Sequence, residues 1–369
     1  MDTSQPLLQP ITVGNLNLKN RVWMAPMTRS RAANPENKVF ELHEEYYRQR
    51  ASAGLIISEG SQVSPQAVGY INTPGIYSAA QTEAWKGVTK AVHEADGHIF
   101  IQLWHVGRMS HPDFHGGELP VSASATNPNS KSFTPNGFKD TVTARAMTLE
   151  EIKQTIEDFK NAAKNAVEAS FDGVEIHSSN GYLFHQFFNT SSNHRTDEYG
   201  GSMENRARLL FEVIDAIKEV MPENRIGLRL NPSLHGVFGM TLDKDAIPTF
   251  DYIINRLNDY DLAYLHLSEP FTDVSEIPFA EQHIAKRYRP IYKGTLAINS
   301  AFDQKSGNEV INAGLADAVA FGKPFISNPD LPERIAENAD WAEWDQNTFY
   351  TPGEKGYIDY KRLEEAKVG

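Results

Sequence analysis

Three side chains that can donate a hydrogen bond or a proton stand within six residues of one another near the middle of the chain. They are His177, Asn180 and Tyr182, and they follow a short apolar run that begins at Gly173. The segment behind them, up to Arg206, is too charged and too rich in glycine to belong to the core. An imidazole and a carboxamide can hold a substrate oxygen, and a phenol can donate a proton beside it. This segment therefore indicates a site that grips an oxygen next to a proton donor.

Eight short β-prone runs recur along the chain, and helix-like stretches lie between them. Several runs are almost continuously apolar, which is typical of parallel strands covered by helices. The clearest helix is expected over 148–170, where Thr148 and Glu151 form a capping-box pattern. Eight strands alternating with helices predict an α/β fold, a (β/α)8 TIM barrel that forms one domain over 1–369. The predicted strands are 22–27, 54–60, 98–104, 173–177, 225–231, 264–268, 295–299 and 318–321, and the other predicted helices are 82–95, 203–220, 244–258 and 304–312.

A doubly wound parallel sheet is the alternative fold. Such a sheet usually carries a glycine-rich turn after its first strand. Here the first predicted strand runs into WMAPMTRS instead. The sequence therefore favours the barrel.

The composition excludes several classes of protein. Cysteine is absent from all 369 residues, which excludes disulfides, thiolate catalysis and cysteine-ligated metal centres. The formal net charge of −13 argues against binding to nucleic acid or to an anionic membrane. No uncharged apolar run approaches the roughly 20 residues of a membrane span, and residues 1–14 lack a signal-peptide pattern. We expect a cytoplasmic protein, a monomer or a homodimer, without nucleic-acid or membrane partners.

One connection is far longer than the others. Residues 105–146 follow the third predicted strand and are rich in Ser, Pro, Asn and Gly. Loops of this length in a compact domain are usually functional or disordered, and barrel active sites lie at the carboxyl ends of the strands. We predict that this excursion is a lid or a wall of the substrate pocket. A passive surface excursion is the alternative.

The carboxyl ends of the predicted strands carry amides, hydroxyls, small residues and one arginine, Arg229. They offer no cluster of carboxylates and no nucleophile beside a base. Such ends suit a flat, polar cofactor. The turns after the last two strands add small residues and Lys323, and barrels frequently bind a phosphate there. We therefore predict a phosphate-bearing cofactor at this face.

Other conspicuous residues are predicted to be structural. The charged side chains behind the three donors are expected to form ion pairs and turns that shape their loop. Three phenylalanines are expected to pack in the core, and three histidines of the excursion lack the carboxylates that a metal site needs, so no metal is predicted. These three sets are Arg195, Asp197, Tyr199, Glu204 and Arg206; Phe184, Phe187 and Phe188; and His105, His111 and His115.

Several specific motifs stand in order between about residues 8 and 360. They are APMTR (25–29), ISEG (57–60), QLWHVGR (102–108), HSSNGYLFHQF (177–187), RTDEYGGSMENR (195–206), AFGKPFISNPDL (320–331), and FY with GYIDY near the C-terminus. Together they resemble the Old Yellow Enzyme family, the FMN-dependent ene-reductases that include morphinone, pentaerythritol tetranitrate and oxophytodienoate reductases. The resemblance covers nearly the whole chain, and the motifs in this order are very specific.

The resemblance implies a tightly but non-covalently bound FMN. Thr28 would hydrogen-bond flavin O4, and Gln102 would pair with the pyrimidine edge. Arg229 would sit near N1 and O2, where reduced flavin gathers negative charge. The remaining implied contacts are Pro26, Met27 and Gly60 along the ring and Asn299, Ser300, Ala301, Gly322 and Lys323 at the phosphate.

Two stretches depart from the family pattern. The turn after the seventh strand reads NSAFD (299–303), where many relatives have a pair of glycines against the phosphate. The run TPG (351–353) replaces a more glycine-rich run after the FY pair. The first departure adds a Cβ at Ser300 and at Ala301, and the second alters the edge of the pocket.

The resemblance also implies the catalytic roles. His177 and Asn180 would polarise the substrate carbonyl, a hydride would pass from flavin N5 to the β-carbon, and Tyr182 would give a proton to the α-carbon. A phenol with an ordinary pKa near 10 stays protonated at neutral pH, so it can act as the acid. The side chains implied to shape the substrate pocket are Trp104, Tyr70, Phe349 and Tyr350.

The resulting prediction is an FMN-dependent NAD(P)H oxidoreductase that reduces the activated C=C bond of α,β-unsaturated carbonyl or nitro compounds by a ping-pong mechanism. A reductase that acts mainly on nitrate esters or nitroaromatics is the alternative within the same class. A metal-dependent barrel hydrolase and a flavin-binding protein without turnover are alternatives from other classes. No ribose-reading motif separates NADH from NADPH as the reductant.

Overall fold

The structure is a computed structural model that describes residues 5–367. Fourteen strands lie within this range, and eight of them close into one parallel barrel. No helix of the described range is long and apolar enough to cross a membrane. Numbered in chain order, the strands are β1 (Ile11–Val13), β2 (Leu16–Leu18), β3 (Val22–Met24), β4 (Ile56–Gln62), β5 (Ile99–Trp104), β6 (Val121–Ser122), β7 (Lys131–Thr134), β8 (Gly137–Asp140), β9 (Arg145–Ala146), β10 (Gly173–His177), β11 (Ile226–Leu230), β12 (Tyr264–Ser268), β13 (Leu296–Asn299) and β14 (Ala318–Phe321).

The barrel strands follow one another in chain order. They run β3, β4, β5, β10, β11, β12, β13 and β14, and β14 pairs back onto β3. All eight are strands that the sequence predicts, so the TIM-barrel prediction is confirmed. The main difference in bounds is at the first strand, which ends at Met24 rather than at residue 27. Pro26 has no N–H to donate to a ladder, and the chain leaves the sheet just before it.

The helices lie between the strands and cover the barrel. The five predicted helices are all present. Thr148 caps the helix expected over 148–170, where its side chain accepts a hydrogen bond from the backbone N–H of Glu151. Within residues 5–367, six further α-helices are present that the sequence analysis did not identify, because most of them are too short to show a period. The helices are α1 (Glu41–Gln49), α2 (Ala79–Glu94), α3 (Leu149–Glu168), α4 (Leu183–Phe188), α5 (Met203–Lys218), α6 (Ala246–Arg256), α7 (Ile284–Tyr288), α8 (Gln304–Asn312), α9 (Lys323–Ser327), α10 (Leu331–Glu337) and α11 (Leu363–Lys367).

Large side chains and glycines alternate inside the barrel. Trp23, Phe100 and Tyr264 form the aromatic part of the interior cluster. A Cβ at Gly173 would lie 2.3 Å from the Phe100 ring, and one at Gly227 would lie 2.3 Å from the Tyr264 ring. Glycine is therefore needed at both positions, because the barrel interior is close-packed.

The excursion over 105–146 has its own structure. It contains an antiparallel hairpin of β7 and β8, and the short strands β6 and β9 pair in parallel. Arg108 anchors its beginning by donating to Thr126 Oγ1 at 2.8 Å and to the Phe238 carbonyl at 3.0 Å. Val106 and Met109 pack beside Trp104, at the end of β5. The root of the excursion thus lies at the carboxyl face of the barrel.

Candidate active site

A cavity of about 270 Å³ opens at the carboxyl ends of β3, β11, β13 and β14. It brings together eight of the predicted site residues and four others. The predicted ones are Pro26, Met27, Thr28, Arg229, Asn299, Gly322, Lys323 and Tyr350, and the others are Ala25, Arg29, Ile326 and Phe349, of which only Phe349 was expected at the pocket.

Arg229 is a buried cation without a hydrogen-bond partner. The residue is 8% exposed, and its buried Nε has no hydrogen-bond partner within residues 5–367. Burial of an unpaired charge is costly unless a ligand or a counter-charge compensates it. Burial lowers the pKa of Arg229, and the nearby Glu175 carboxylate opposes that change. An arginine in this state is prepared for an electron-rich or anionic ligand in the cavity.

His177 is the last residue of β10 and pairs in register with Arg229. Its Nδ1 lies 3.1 Å from Ser179 Oγ, within hydrogen-bond distance. With this hydroxyl as the donor, the ring proton is on Nε2. Burial lowers the pKa of His177 well below 6.5, and the positive charge of Arg229 adds to this effect. The imidazole is therefore a neutral donor at physiological pH.

Asn180 lies in the turn that follows β10. Its φ of 57° is left-handed, a conformation that asparagine tolerates better than most residues, and Gly181 follows with a φ of 82°. Asn231 Nδ2 donates to Asn180 Oδ1 at 3.3 Å. The carboxamide oxygen is thus occupied, and the amide N–H groups of Asn180 remain available as donors. Asn231, directly after β11, was not identified from the sequence.

Tyr182 lies in an aromatic cluster beside His177. The ring centroids of these two residues are 5.0 Å apart, and Trp104 lies 5.0 Å from Tyr182 in an edge-on arrangement. The hydroxyls of Tyr70 and Tyr182 are 3.1 Å apart. Burial raises the pKa of Tyr182 well above 10, so the phenol stays protonated. Phe238, which the sequence analysis did not identify, closes the other side of the ring at 5.7 Å.

Two other predicted cofactor residues lie next to this cluster. Gln102, on β5, is 2% exposed, and its side-chain amide donates to Glu175. Gly60, on β4, lies against Trp104, and a Cβ there would come within 2.6 Å of the indole ring. Glycine is therefore required at position 60 for the indole to reach its place in the pocket.

The turn after β13 is divided between two cavities. Asn299 lines the main cavity, and its Oδ1 accepts a hydrogen bond from Ser268 Oγ at 2.6 Å. Ser300 and Ala301 line a neighbouring cavity of about 560 Å³ instead. Both have positive φ angles, 90° and 56°, in the region that favours glycine. Lys323 begins α9, and its ammonium lies 5.7 Å from the centre of the Trp344 ring.

Two buried arginines hold the outer edge of the cavity. Arg29 donates to the carbonyls of Phe349 and Gly356, at 3.1 and 2.7 Å. Arg31 donates to the carbonyls of 348, 349, 353 and 355, at 3.0 to 3.1 Å. They thereby position the segment that carries Phe349 and Tyr350. This role could not be predicted from the sequence, because the partners are more than 300 positions apart.

Several of the charged residues and phenylalanines that were expected to be structural make loop and core contacts. Arg195 and Asp197 form an ion pair at 2.6 Å that shapes the loop. Arg206 donates to the Phe188 carbonyl at 2.8 Å. The phenylalanines at 184, 187 and 188 are at most 2% exposed and belong to the core. Within residues 5–367, no three His, Cys, Asp or Glu side chains come together in a way that could hold a metal ion.

The donor set of the main cavity fits a flavin nucleotide. The buried Nε of Arg229 has no hydrogen-bond partner within the described chain, and the Thr28 hydroxyl belongs to the same cavity. These groups suit the acceptor atoms of a flat polar ring. Gly322 and Lys323, at the beginning of α9, offer backbone N–H groups and a cation to a phosphate.

Comparisons with known proteins agree with this assignment. The model of the NADH:flavin oxidoreductase / NADH oxidase family matches residues 6–341. The chain is 42% identical over 366 residues to 12-oxophytodienoate reductase 1 from Oryza sativa subsp. japonica, with 98% of this chain and 94% of that protein covered. Morphinone reductase in complex with tetrahydroNAD is 43% identical, with a TM-score of 0.91 and 98% of each chain covered. The Old Yellow Enzyme homologue from Zymomonas mobilis is 40% identical, with a TM-score of 0.91, 97% of this chain and 99% of that chain covered.

Proposed function

The chain belongs to the NADH:flavin oxidoreductase / NADH oxidase family, and on this premise we propose that it reduces the activated C=C bonds of α,β-unsaturated carbonyl and nitro compounds. The resemblance to the Old Yellow Enzyme family is confirmed. The protein is an NAD(P)H-dependent flavin oxidoreductase, and FMN is its cofactor. The observation that carries the proposal is the grouping of His177, Asn180 and Tyr182 at and after the end of β10. His177 pairs in register with Arg229, which lines the cavity.

The chemistry that FMN supplies when bound is hydride transfer, from the nicotinamide in one half-reaction and to the β-carbon of the alkene in the other. Arg229, Thr28 and Gln102 would hold its polar ring edge, with Pro26, Met27 and Gly60 along the ring. Gly322 and Lys323 would hold its phosphate, together with the turn of Asn299, Ser300 and Ala301. Arg229 supplies a positive charge that favours an electron-rich ring.

His177 and Asn180 would bind the oxygen of the substrate. The Nε2–H of His177 and the amide of Asn180 are both neutral donors, and their other polar atoms are held by Ser179 and Asn231. Two preorganised donors stabilise the negative charge that develops on a carbonyl or nitro oxygen as the β-carbon accepts a hydride. Since their orientation is set within the protein, little reorganisation is required during the reaction.

Tyr182 would donate the proton to the α-carbon. Its phenol is neutral, because burial raises its pKa. A hydride would bring its own electron pair to the β-carbon and displace the π pair of the C=C bond toward the α-carbon and the activating group. The Tyr182 proton would bond to that displaced pair at the α-carbon, and Tyr182 would regain a proton from solvent afterwards. Trp104 and Tyr70 bound the space beside the phenol, and Tyr350 forms its outer edge.

The root of the excursion would form a wall of the substrate pocket. Val106 and Met109 pack with Trp104 and Tyr182 in one small apolar cluster. An apolar, aromatic wall beside two donors suits a flat conjugated substrate with a single polar end. We therefore propose that residues 105–146 contribute to substrate selection rather than forming a passive surface excursion.

Anaerobic flavin spectroscopy tests this function. Purified protein should be yellow, bleach on addition of NADH or NADPH, and regain its colour on addition of 2-cyclohexenone or a nitroalkene, with the saturated compound as product. Bleached enzyme that regains colour only with nitrate esters or nitroaromatics would support the alternative substrate class. Enzyme that no alkene or nitro compound reoxidises would show a flavin protein without this turnover.

A further inference from the structure

Glu175 is a fully buried carboxylate that the proposed reaction does not use. It lies on β10, its side chain is 0% exposed, and three side chains donate to it. Gln102 Nε2 lies 2.8 Å from Oε1, and Tyr264 Oη and His266 Nδ1 lie 3.1 and 2.9 Å from Oε2. A carboxylate with three donors in a dry interior is a highly ordered polar network. Such a network is costly to build, and its place in the barrel indicates what it does.

The strand register places this network directly below the cofactor cavity. Glu175 and His177 are two residues apart on β10, so both face the barrel interior, with Glu175 one layer deeper. In register, Glu175 pairs with Gln102 on β5, and Arg229 pairs with both His177 and His266. The anion thus lies between the two strands that supply Gln102 and Arg229.

The charges of the network can be assigned from its environment. Burial alone would raise the pKa of Glu175, but His266, Arg229 and Gln102 together hold it below 4.5, so the carboxylate is ionised. Burial lowers the pKa of His266, and the Glu175 carboxylate opposes that change. His266 donates through Nδ1, because the carboxylate can only accept. Glu175 is then the negative charge that acts electrostatically on the guanidinium of Arg229.

We propose that Glu175 is a positioning residue for FMN. Its carboxylate accepts only, so it holds the N–H side of the Gln102 amide and leaves Gln102 Oε1 to accept from the cofactor. Within residues 5–367 that oxygen has no other hydrogen-bond partner. The charge of Glu175 also compensates Arg229 and opposes the gain of negative charge when the flavin is reduced. This assignment concerns the cofactor alone and does not depend on the substrate class proposed above.

Glu175→Gln separates this role from packing. The substitution keeps the shape of the side chain and removes its charge. The new amide at position 175 can donate as well as accept, so the Gln102 amide is no longer held in one orientation. FMN binding to the oxidised enzyme should weaken about tenfold, the loss of one hydrogen bond in a buried site. Binding of reduced FMN should weaken less, because the variant no longer has the Glu175 anion that repels the negative charge of the reduced flavin. A tenfold difference between the two affinities corresponds to a midpoint potential about 30 mV more positive.

The measurements are the FMN dissociation constant, followed by flavin fluorescence, and the midpoint potential of the holoenzyme, titrated anaerobically against a redox dye. Tyr264→Phe is the matched control, since it removes one donor to the same carboxylate but leaves the charge and the contact with Gln102. The control should retain both values. Folded Glu175→Gln protein with unchanged affinity and potential would overturn the proposal, as would equal changes in the control.

If Glu175→Gln does not accumulate as folded protein, Glu175→Asp replaces it. Aspartate keeps the charge but shortens the reach to Gln102. FMN affinity should then fall while the potential stays near that of the parent enzyme. Unchanged FMN affinity in this variant would overturn the positioning role.

Discussion

His177 and Tyr182 need opposite pKa shifts to remain neutral, and one environment supplies both. Burial disfavours the charged form of each group, so it lowers the pKa of the imidazole and raises the pKa of the phenol. The imidazole can then donate without carrying a charge into the pocket, and the phenol keeps its proton. No carboxylate has to tune either group. A buried aromatic pocket is therefore sufficient to prepare the donors for this chemistry.

The first prediction concerns pH. The rate at which an enone reoxidises the reduced enzyme should be flat from about pH 6 to 9, because the pKa of His177 lies well below 6.5 and that of Tyr182 well above 10. Stopped-flow traces across this range check it. A limb with an apparent pKa between 6 and 9 that disappears in His177→Ala would show that the imidazole titrates, contrary to this account.

The second prediction concerns the two oxygen-binding donors. His177→Ala and Asn180→Ala should each weaken the binding of a simple phenol to the oxidised enzyme about tenfold, the effect of one lost hydrogen bond. Spectral titration of the flavin measures the affinity. Ser178→Ala is the control, since its buried hydroxyl has no partner among the described residues and lies in the same turn. Equal losses in all three variants would point to a general disturbance of the turn.

At the scale of elements, the sequence was most informative where a periodic pattern coincided with a motif. Eight β-prone runs, several of them almost continuously apolar, located all eight barrel strands, and the capping box located α3. Helix α4 was missed although it lies within the donor segment, because six buried residues are too few to show a helical period. The hairpin of β7 and β8 was missed for two reasons. Buried side chains alternate with exposed ones along β7, but no side chain of β8 is buried, and the surrounding composition is typical of a loop.

The turn after β13 gives the third prediction. Ala301 has a φ of 56°, which costs an L-residue about 1 kcal/mol or more that glycine does not incur. Ala301→Gly should therefore stabilise the protein by about 1 kcal/mol and raise its melting temperature. Ala313→Gly is the control, because Ala313 caps the C-terminal end of α8 with an ordinary φ of −72° and should lose stability on the same change. Parallel losses in both variants would show that the turn is unstrained.

At the scale of the whole molecule, contacts between distant parts of the chain build the mouth of the site. Arg29 and Arg31, directly after the first barrel strand, hold the segment around Phe349 and Tyr350. The family motifs in the sequence could predict that Phe349 and Tyr350 lie at the pocket. It could not predict the carbonyl contacts between them, since backbone acceptors leave no trace in residue type. The same limit applies to Asn231, whose partner Asn180 lies on the neighbouring strand end.

The fourth prediction concerns a buried carboxyl in this region. Burial raises the pKa of Glu59 from 4.5 to about 7, although the arginines at 29 and 31 oppose the change. Because the pKa of Glu59 is higher in the folded state, the folded protein binds this proton more tightly than the unfolded chain does. The free energy of unfolding is therefore highest below pH 4.5 and falls as the pH rises to about 7. The loss is about 3 kcal/mol. Glu59→Gln should therefore gain stability relative to the parent protein between pH 5 and 8.

Thermal unfolding at pH 5 and pH 8 measures this difference. Glu94→Gln is the control, because Glu94 is exposed at the end of α2 and should show no such change with pH. A Glu59→Gln variant whose melting temperature follows the parent protein at both pH values would mean that Glu59 is ionised in the fold throughout.

The most direct test of the central claim is a stopped-flow comparison of the two half-reactions in Tyr182→Phe. Reduction of the flavin by NADH or NADPH should proceed at the parent rate, because no proton from Tyr182 is needed in that step. Reoxidation by 2-cyclohexenone should slow by at least about 100-fold, the usual loss when a positioned general acid is removed. Equal losses in both half-reactions, or none in the second, would contradict the assignment of Tyr182 as the proton donor.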